Sequence, residues 1–239
     1  MNSSREVILW SKKKGRRQSF QRGGIAMTSA NFNQKRILFI VQFGILLALE
    51  AIVCFTPLGS LPAIGPIVAT LSHIPVIITA IVLGTGAGAA MGFFFGLFSF
   101  LVWTFTPPSP IAFVFTPFYT VGDFGGNFWS LVICFVPRIL IGVVAGLCFR
   151  SFSRLLNDNV VAYTFSGVLA SLTNTVLVLG GLYLFFGHQF ASVNKIGFEL
   201  LLGILGMTIL TSGIPEAIIG GLLAYAVGKP LRKLTAPRN

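Results

Sequence analysis

The sequence has little charge and long apolar runs. Of its 239 residues, 10% are charged and 54% are hydrophobic, and the mean hydropathy is +0.87. Soluble domains carry about 25% charged residues, so this composition excludes an ordinary soluble domain and indicates an integral membrane protein. Acidic residues are especially few: there are 6, against 17 lysines and arginines, which gives a net charge of +11.

Motifs that would support catalysis are missing as well. The sequence has no GxxxxGK[ST] phosphate loop, no HExxH zinc motif and no pair of acids on one apolar run. The three cysteines, Cys54, Cys134 and Cys148, have no paired spacing, so we interpret them as packing residues rather than as disulfides or metal ligands. We therefore expect no enzyme activity, no metal and no cofactor. Uphill transport would need an ion gradient or another subunit.

The basic residues do not indicate nucleic-acid binding, because of where they lie. Seven of the 17 cations precede residue 27, and most others flank apolar runs, which is the pattern of cytoplasmic loops. We predict a basic cytoplasmic arm over residues 1–36, which is either disordered or lies on anionic lipid, and a basic cytoplasmic tail over 229–239. Because Met27 begins a second, more ordinary lead-in, we interpret 1–26 as a candidate upstream-start extension.

The apolar runs predict an all-α membrane domain over residues 37–228. About 20 residues are needed for each spanning helix, and the charge pattern favours an even number of spans with both termini cytoplasmic. We expect a bundle of six transmembrane helices with long ordered outer loops. The predicted spans are residues 37–55, 67–83, 88–105, 137–156, 160–187 and 214–227.

Residues 106–136 combine many prolines and glycines with many aromatic side chains. A long apolar loop is not a solvated linker, and long ordered loops are usually functional. We predict an ordered outer lid that packs partly on the helices. The alternative is that residues 124–136 begin a longer fourth span.

Arg138 is the only lysine or arginine between Arg36 and Arg150. An arginine at the centre of a membrane helix costs roughly 2.5–3.5 kcal/mol, so it normally faces a partner, a wet cavity or a ligand. Proline is favoured at the first helical position, and Pro137 therefore predicts that Arg138 lies in the first turn of a helix. Free amides and a guanidinium at that helix end would favour an anion.

Several other polar residues lie within or beside the predicted spans, and we expect some of them to share a pocket with Arg138. Glu216 and Asn174 are candidate ligand contacts, while Glu216 could instead neutralise Arg138 between two helices. His73 is either an interior residue or a further contact, and we interpret Glu50 as an interface residue. From the lid, Asn127 and Phe118 are the candidate contacts.

Four stretches of the chain resemble a known family. They are residues 56–96, which include ATLSHIPVII and a stripe of glycines, 137–146 (PRILIGVVAG), 171–175 (SLTNT) and 215–218 (PEAI). They are similar to the substrate-binding S components of energy-coupling factor (ECF) vitamin transporters, in the pantothenate-type branch. The resemblance covers about residues 35–230.

The resemblance implies a subunit of the bacterial cytoplasmic membrane that captures a vitamin outside and topples in the membrane. It would then release the vitamin on a transmembrane coupling (T) subunit driven by two ATPase (A) subunits. For pantothenate, Arg138 would take the carboxylate, and Asn174 and Glu216 the amide or the hydroxyls. The alternatives are another vitamin, such as riboflavin, cobalamin or folate, and a solitary ion-coupled carrier.

The same resemblance implies that small residues on the first span contact the coupling subunit. In this sequence those residues are Gly44, Ala48 and Ala51. The glycine stripe would offer further contacts, because small residues at four-residue spacing allow another helix to approach closely. Its candidate residues are Gly84, Gly88 and Gly92.

Overall fold

A computed structural model of the chain describes residues 34, 36–56, 71–156 and 159–235. Predictions for most of the basic arm, for the loop after the first span and for the start of the second span therefore lie outside the described residues. The chain divides into two units, the first ending at Gly44 and the second starting at Ile45. In the first unit, the helical residues 37–41 expose apolar side chains, and the ring of Phe39 stacks on that of Phe43 with 6.3 Å between centroids.

The described chain is mostly helical. The helices are α1 (Arg36–Phe55), α2 (Ile74–Leu83), α3 (Thr85–Phe105), α4 (Phe128–Leu156), α5 (Val160–Val193), α6 (Phe198–Thr208) and α7 (Ile214–Thr235). Five stretches within the described residues are long and apolar enough to cross a membrane: α1, α3, α4, α5 and the continuous run Phe198–Leu234. The apolar helix α2 is shorter, with 10 residues. The mostly helical fold and the five long apolar stretches agree with the predicted all-α membrane bundle, while the sixth span and the cytoplasmic position of both termini stay predictions.

Helix α4 begins at Phe128, so the predicted start of the fourth span at Pro137 is wrong and a longer fourth span is right. Asn127 explains the start. Its side-chain Oδ1 accepts the N–H of Trp129 at 2.9 Å, and its own N–H donates to Oγ of Ser130 at 3.0 Å. This reciprocal capping satisfies amides that would otherwise lack partners at the helix end.

The last span begins at Phe198, not near residue 214, because α6 continues into α7 through a π-helical turn, Ile209–Gly213. Pro215 lies two residues after the end of this turn. In a regular α-helix a proline ring clashes with the carbonyl four residues earlier. A π turn widens the helix at that point, so the helix passes the proline without ending.

The predicted lid is ordered and packed over residues 106–127, whereas residues 128–136 belong to α4. It contains a 3₁₀ helix, Pro110–Val114, and a two-stranded antiparallel ribbon of β1 (Thr120–Val121) and β2 (Phe124–Gly125). Phe113 is fully buried, with its ring 5.9 Å from that of Phe186 on α5. The lid therefore adds apolar side chains to the core between α4, α5 and α6.

Helices α3 and α4 pack closely through glycines. A Cβ added at Gly92 would meet the backbone of Arg138 and Ile139, and one added at Gly88 would meet Gly142 as well as Ala80 of α2. Small residues at such positions let helix backbones approach. The glycine stripe thus sets the position of Arg138 relative to α3.

Candidate binding site

Arg138 lies in the interior of α4, and the expectation that it occupies a first helical turn is wrong. Pro137 has no N–H, so the carbonyl of Ile133, four residues earlier, has no intrahelical partner. The side chain of Arg138 fills that role: its Nη1 donates to the Ile133 carbonyl at 2.7 Å. Side chains on a helix point toward its N-terminus, which makes this reach possible.

The guanidinium of Arg138 is surrounded by aromatic rings. Its Cζ atom lies 5.7 Å from the ring centroid of Phe95 on α3 and 5.2 Å from that of Phe115 at the end of the lid's 3₁₀ helix. Both distances fall in the range of cation–π interaction. Arg138 is only 6% exposed, its Nε has no hydrogen-bond partner, and no carboxylate in the described residues lies within 4 Å of it.

Glu216 contacts His73 rather than Arg138, which corrects the alternative of a direct Arg138–Glu216 pair. Nδ1 of His73 lies 3.1 Å from Oε1 of Glu216, and both side chains are buried. The two atoms are close, but neither ring nitrogen of His73 makes a well-aligned hydrogen bond. A Cβ added at Gly220 would lie 3.3 Å from Nε2 of His73, so the glycine leaves room for the ring between α2 and α7.

Helix α5 brings two polar residues to the same region. Ser171 lies near Gly220, since a Cβ added there would be 3.7 Å from Cβ of Ser171 and 3.3 Å from the His73 ring. The hydroxyl of Ser171 is buried without a partner, and so is Oδ1 of Asn174, one turn further along α5. Asn174 itself is half-buried.

The interpretation of Glu50 as an interface residue is wrong. It is 0% exposed, whereas an interface residue at the end of a span would be partly in solvent. The thiol of Cys54, one turn later, donates to its Oε1 at 3.3 Å, and its Oε2 has no partner. A usable signal was the four-residue spacing of Leu46, Glu50 and Cys54, which places them on one helix face.

Helix packing joins the two halves of this region. Helix α2, whose N-cap is His73, packs against both α4 and α7, and the end of α1 packs on α3. We call the six polar residues concerned the polar cluster: Glu50, His73, Arg138, Ser171, Asn174 and Glu216.

The polar cluster carries most of the buried polar atoms that have no partner in the described chain. They are Glu50 Oε2, His73 Nδ1 and Nε2, Arg138 Nε, Ser171 Oγ and Asn174 Oδ1; the remaining one is Gln189 Oε1. Buried polar groups are nearly always hydrogen-bonded, and a group left over needs an explanation. One cationic donor, imidazole nitrogens and several oxygen acceptors would together suit a small molecule with one anionic group, donors and acceptors.

Two predicted contacts from the lid have other neighbours. The side chain of Asn127 caps α4, as described above. The ring of Phe118 is 75% exposed and lies 6.1 Å from that of Phe100 on α3. Neither contact connects these residues to the polar cluster.

The predicted partner-contact residues fall into two groups. Gly44 and Ala48 are exposed and Ala51 is half-buried, so these small residues on α1 are accessible. Gly84 ends α2 with φ of 100° and has open space around it. Gly88 and Gly92 are buried and contact α4 of the same chain instead.

The chain is similar to known membrane proteins over most of its length. Residues 38–231 match the family profile described as "ECF transporter, substrate-specific component". The pantothenic acid transporter PanT of Lactococcus lactis subsp. cremoris is 37% identical over 169 residues, which cover 70% of this chain and 80% of that protein. The pantothenate transporter PanT of Leuconostoc mesenteroides subsp. mesenteroides is 30% identical over 209 residues, covering 84% and 94%. The chain therefore belongs to the family of substrate-specific components of ECF transporters.

Proposed function

We propose that the chain is the pantothenate-binding S component of a bacterial ECF transporter and works in the cell membrane. The names of both relatives support pantothenate as the substrate. The family supports a subunit that binds the vitamin and leaves energy supply to other subunits. In this proposal the other subunits are a T subunit and two A subunits, and the vitamin is released when the S component topples against the T subunit.

The main support for this proposal is that the guanidinium of Arg138 is buried and has no carboxylate partner among the described residues. Its Nη1 is held by the Ile133 carbonyl, which leaves the edge formed by Nε and Nη2. Two parallel N–H groups on one edge match the two oxygens of a carboxylate. We assign the single carboxylate of pantothenate to this edge.

The rest of pantothenate is an amide, two hydroxyls and a small branched apolar centre. Asn174 Oδ1 and Ser171 Oγ supply acceptors without partners for the amide N–H and a hydroxyl. The His73–Glu216 pair supplies further donors and acceptors on α2 and α7. Phe95 and Phe115, whose rings flank the guanidinium, provide apolar surface for the two methyl groups.

Charge at the helix ends supports an orientation with both termini in the cytoplasm. The C-terminal ends of α4 and α7 lie side by side, since Cζ of Arg232 is 4.9 Å from the ring centroid of Phe149. Arg150 and Arg154 are exposed at the same end. Under the positive-inside rule this end faces the cytoplasm. The polar cluster and the lid would then open toward the outside.

The accessible small residues on α1 are the proposed contact for the T subunit. Ala48 is exposed, whereas Leu46 and Glu50 on the opposite face of the helix are buried. Small residues let a helix of another subunit approach closely without leaving a gap. Ala51 extends this surface along α1, and Gly44, in the first unit, is exposed as well.

The proposal is tested by titrating purified chain with pantothenate, riboflavin, cobalamin and folate in an isothermal titration calorimeter. We expect saturable binding of pantothenate alone. Vesicles containing the chain should accumulate pantothenate only when T and A subunits and ATP are present. Uptake by the chain alone under an ion gradient would contradict the proposal and favour an ion-coupled carrier. Binding of another vitamin instead would change the assigned substrate but not the proposed role as an S component.

A further inference from the structure

Glu50 is a fully buried acid without a cation. It is 0% exposed, and no ion pair of Glu50 occurs within 4 Å among the described residues. Its one partner in the described part of the chain is the thiol of Cys54, which donates to Oε1 at 3.3 Å, and a thiol is a weak donor. Oε2 is buried without any partner.

Such a residue requires an explanation. Ionisable side chains inside membrane spans are costly and in general are retained for function. A structural role would place a strong donor on both oxygens, as buried acids that stabilise a fold are hydrogen-bonded. Here the second oxygen has no donor among the residues that the structure describes.

The end of α1 that carries Glu50 packs on α3, the helix whose Phe95 ring lies 5.7 Å from Cζ of Arg138. Leu46 is buried on the same face of α1 as Glu50, and Cys54 lies one turn beyond Glu50. The C-terminal end of α1 is fixed on α3 by the rings of Phe55 and Phe98, 5.5 Å apart.

We infer that Glu50 recognises a hydroxyl group of the bound ligand and so makes the site selective for hydroxylated acids over apolar ones. This inference rests on the proposed function. A hydroxyl donates a hydrogen bond to Oε2, and Cys54 holds the other oxygen in place. The carboxylate of the ligand stays with Arg138, because the guanidinium offers it a positive charge and two parallel N–H groups.

The assignment agrees with the hydrogen-bonding capacity of the site. Pantothenate has three donors, which are its two hydroxyls and its amide N–H. Three acceptors in the polar cluster are buried without partners: Glu50 Oε2, Ser171 Oγ and Asn174 Oδ1. Of these three acceptors, only that of Glu50 belongs to an acidic side chain.

The test compares two ligands on the same protein. The first is pantothenate, and the second is N-(3,3-dimethylbutanoyl)-β-alanine, which keeps the carboxylate, amide and branched carbon but has hydrogen in place of both hydroxyls. Sites that hydrogen-bond a hydroxyl reject analogues without it by up to about 10⁴-fold. The wild type should therefore bind pantothenate much more tightly than the analogue.

Replacing Glu50 should reduce this preference. In Glu50→Met we expect the ratio of the two dissociation constants to fall by about tenfold or more, mainly because pantothenate binds more weakly. Glu50→Gln keeps an acceptor oxygen of the same reach and should retain most of the preference. Glu199→Gln, at an exposed acid on α6, is the matched control and should leave the ratio unchanged.

A structural role for Glu50 predicts a different result. If Glu50→Met weakens both ligands equally and leaves the ratio within about twofold of the wild type, the inference is overturned. If this variant does not fold, Glu50→Ala, which adds no bulk, is measured in the same way. Failure of the wild type to bind pantothenate would instead contradict the proposed function, so the two failures are distinguishable.

Discussion

The chain contains the same two-residue pattern, proline followed by a charged residue, in two helices. In α4, Pro137 precedes Arg138, and in the last span Pro215 precedes Glu216. Helix α4 remains α-helical through its proline, and Arg138 donates to the carbonyl that the proline leaves unpaired. The last span instead forms a π turn before its proline, in which the N–H of Ile214 donates to the carbonyl of Ile209.

The difference follows from the chemistry of the two side chains. An arginine has five N–H donors, whereas an ionised glutamate has none. Arg138 can therefore replace the missing backbone donor of Pro137, but Glu216 cannot do the same for Pro215. The backbone changes in the last span, and the carboxylate of Glu216 is left to reach His73 on α2.

Replacing Arg138 should have the largest effect on ligand binding. We expect Arg138→Ala to weaken pantothenate binding by about 2–5 kcal/mol, because a buried charge pair with the ligand is lost. That corresponds to roughly 30-fold to several thousandfold in the dissociation constant, measured by calorimetry. Arg138→Lys keeps the charge without the planar fork and should recover only part of the affinity.

The control for this prediction is Arg154→Ala, at an exposed arginine near the other end of α4. It should leave the affinity unchanged. Because Arg138→Ala also removes the partner of the Ile133 carbonyl, thermal unfolding of each variant is measured in parallel. Unchanged affinity in a folded Arg138→Ala variant would remove this residue from the site.

Replacing Glu216 should weaken binding less than replacing Arg138 does, and it should also lower stability. Glu216→Ala leaves His73 buried without its neighbour, which costs about 1–3 kcal/mol of unfolding free energy. Thermal unfolding in detergent measures this loss. The double variant with His73→Ala should lose less than the sum of the two single variants. Strict additivity would show that the 3.1 Å approach of the two side chains contributes nothing.

Replacing Pro137 addresses the comparison of the two prolines directly. In Pro137→Ala, the new N–H donates to the Ile133 carbonyl and competes with Nη1 of Arg138. We expect a more stable helix, since proline in a helix interior is roughly 3 kcal/mol less favourable than alanine. Pantothenate should bind about tenfold more weakly, because the guanidinium is no longer held in position before the ligand arrives.

Pro215→Ala is the matched variant in the other helix. The carbonyl four residues before Pro215 is that of Thr211, and no side chain in the described chain donates to it. A new N–H at position 215 therefore displaces no side chain, and Arg138 should stay in place. Equal loss of affinity in both variants would contradict the idea that only the first proline orients a binding residue.

The sequence was sufficient to predict the class of fold and the central arginine. Apolar run length predicts spans because the thickness of the bilayer fixes the length of a helix. The ends of helices were harder to predict. Pro137 indicates the start of a helix only when no side chain can replace its missing N–H. That replacement by Arg138 is a three-dimensional fact that spacing does not encode.

The partners of the buried charges were also beyond the sequence. Opposite charges on Arg138 and Glu216 suggested a pair, yet the nearest group to Glu216 is a ring nitrogen of His73. Glu50 looked like an interface residue because it lies near the end of a span. Its burial depends on which face of α1 is packed, and because the helix is apolar on most faces, only the four-residue spacing of Leu46, Glu50 and Cys54 points to that face.

The start of α4 gives the smallest predicted effect on binding. Asn127→Ala removes the cap and should lower the unfolding free energy by about 0.5–2 kcal/mol, measured by thermal unfolding. Asn127→Ser keeps a capping oxygen and should restore most of the loss. Pantothenate affinity should be unchanged in both variants, because the amide of Asn127 is used by Trp129. A selective loss of affinity without loss of stability would return Asn127 to the binding site and assign capping to Ser130 alone.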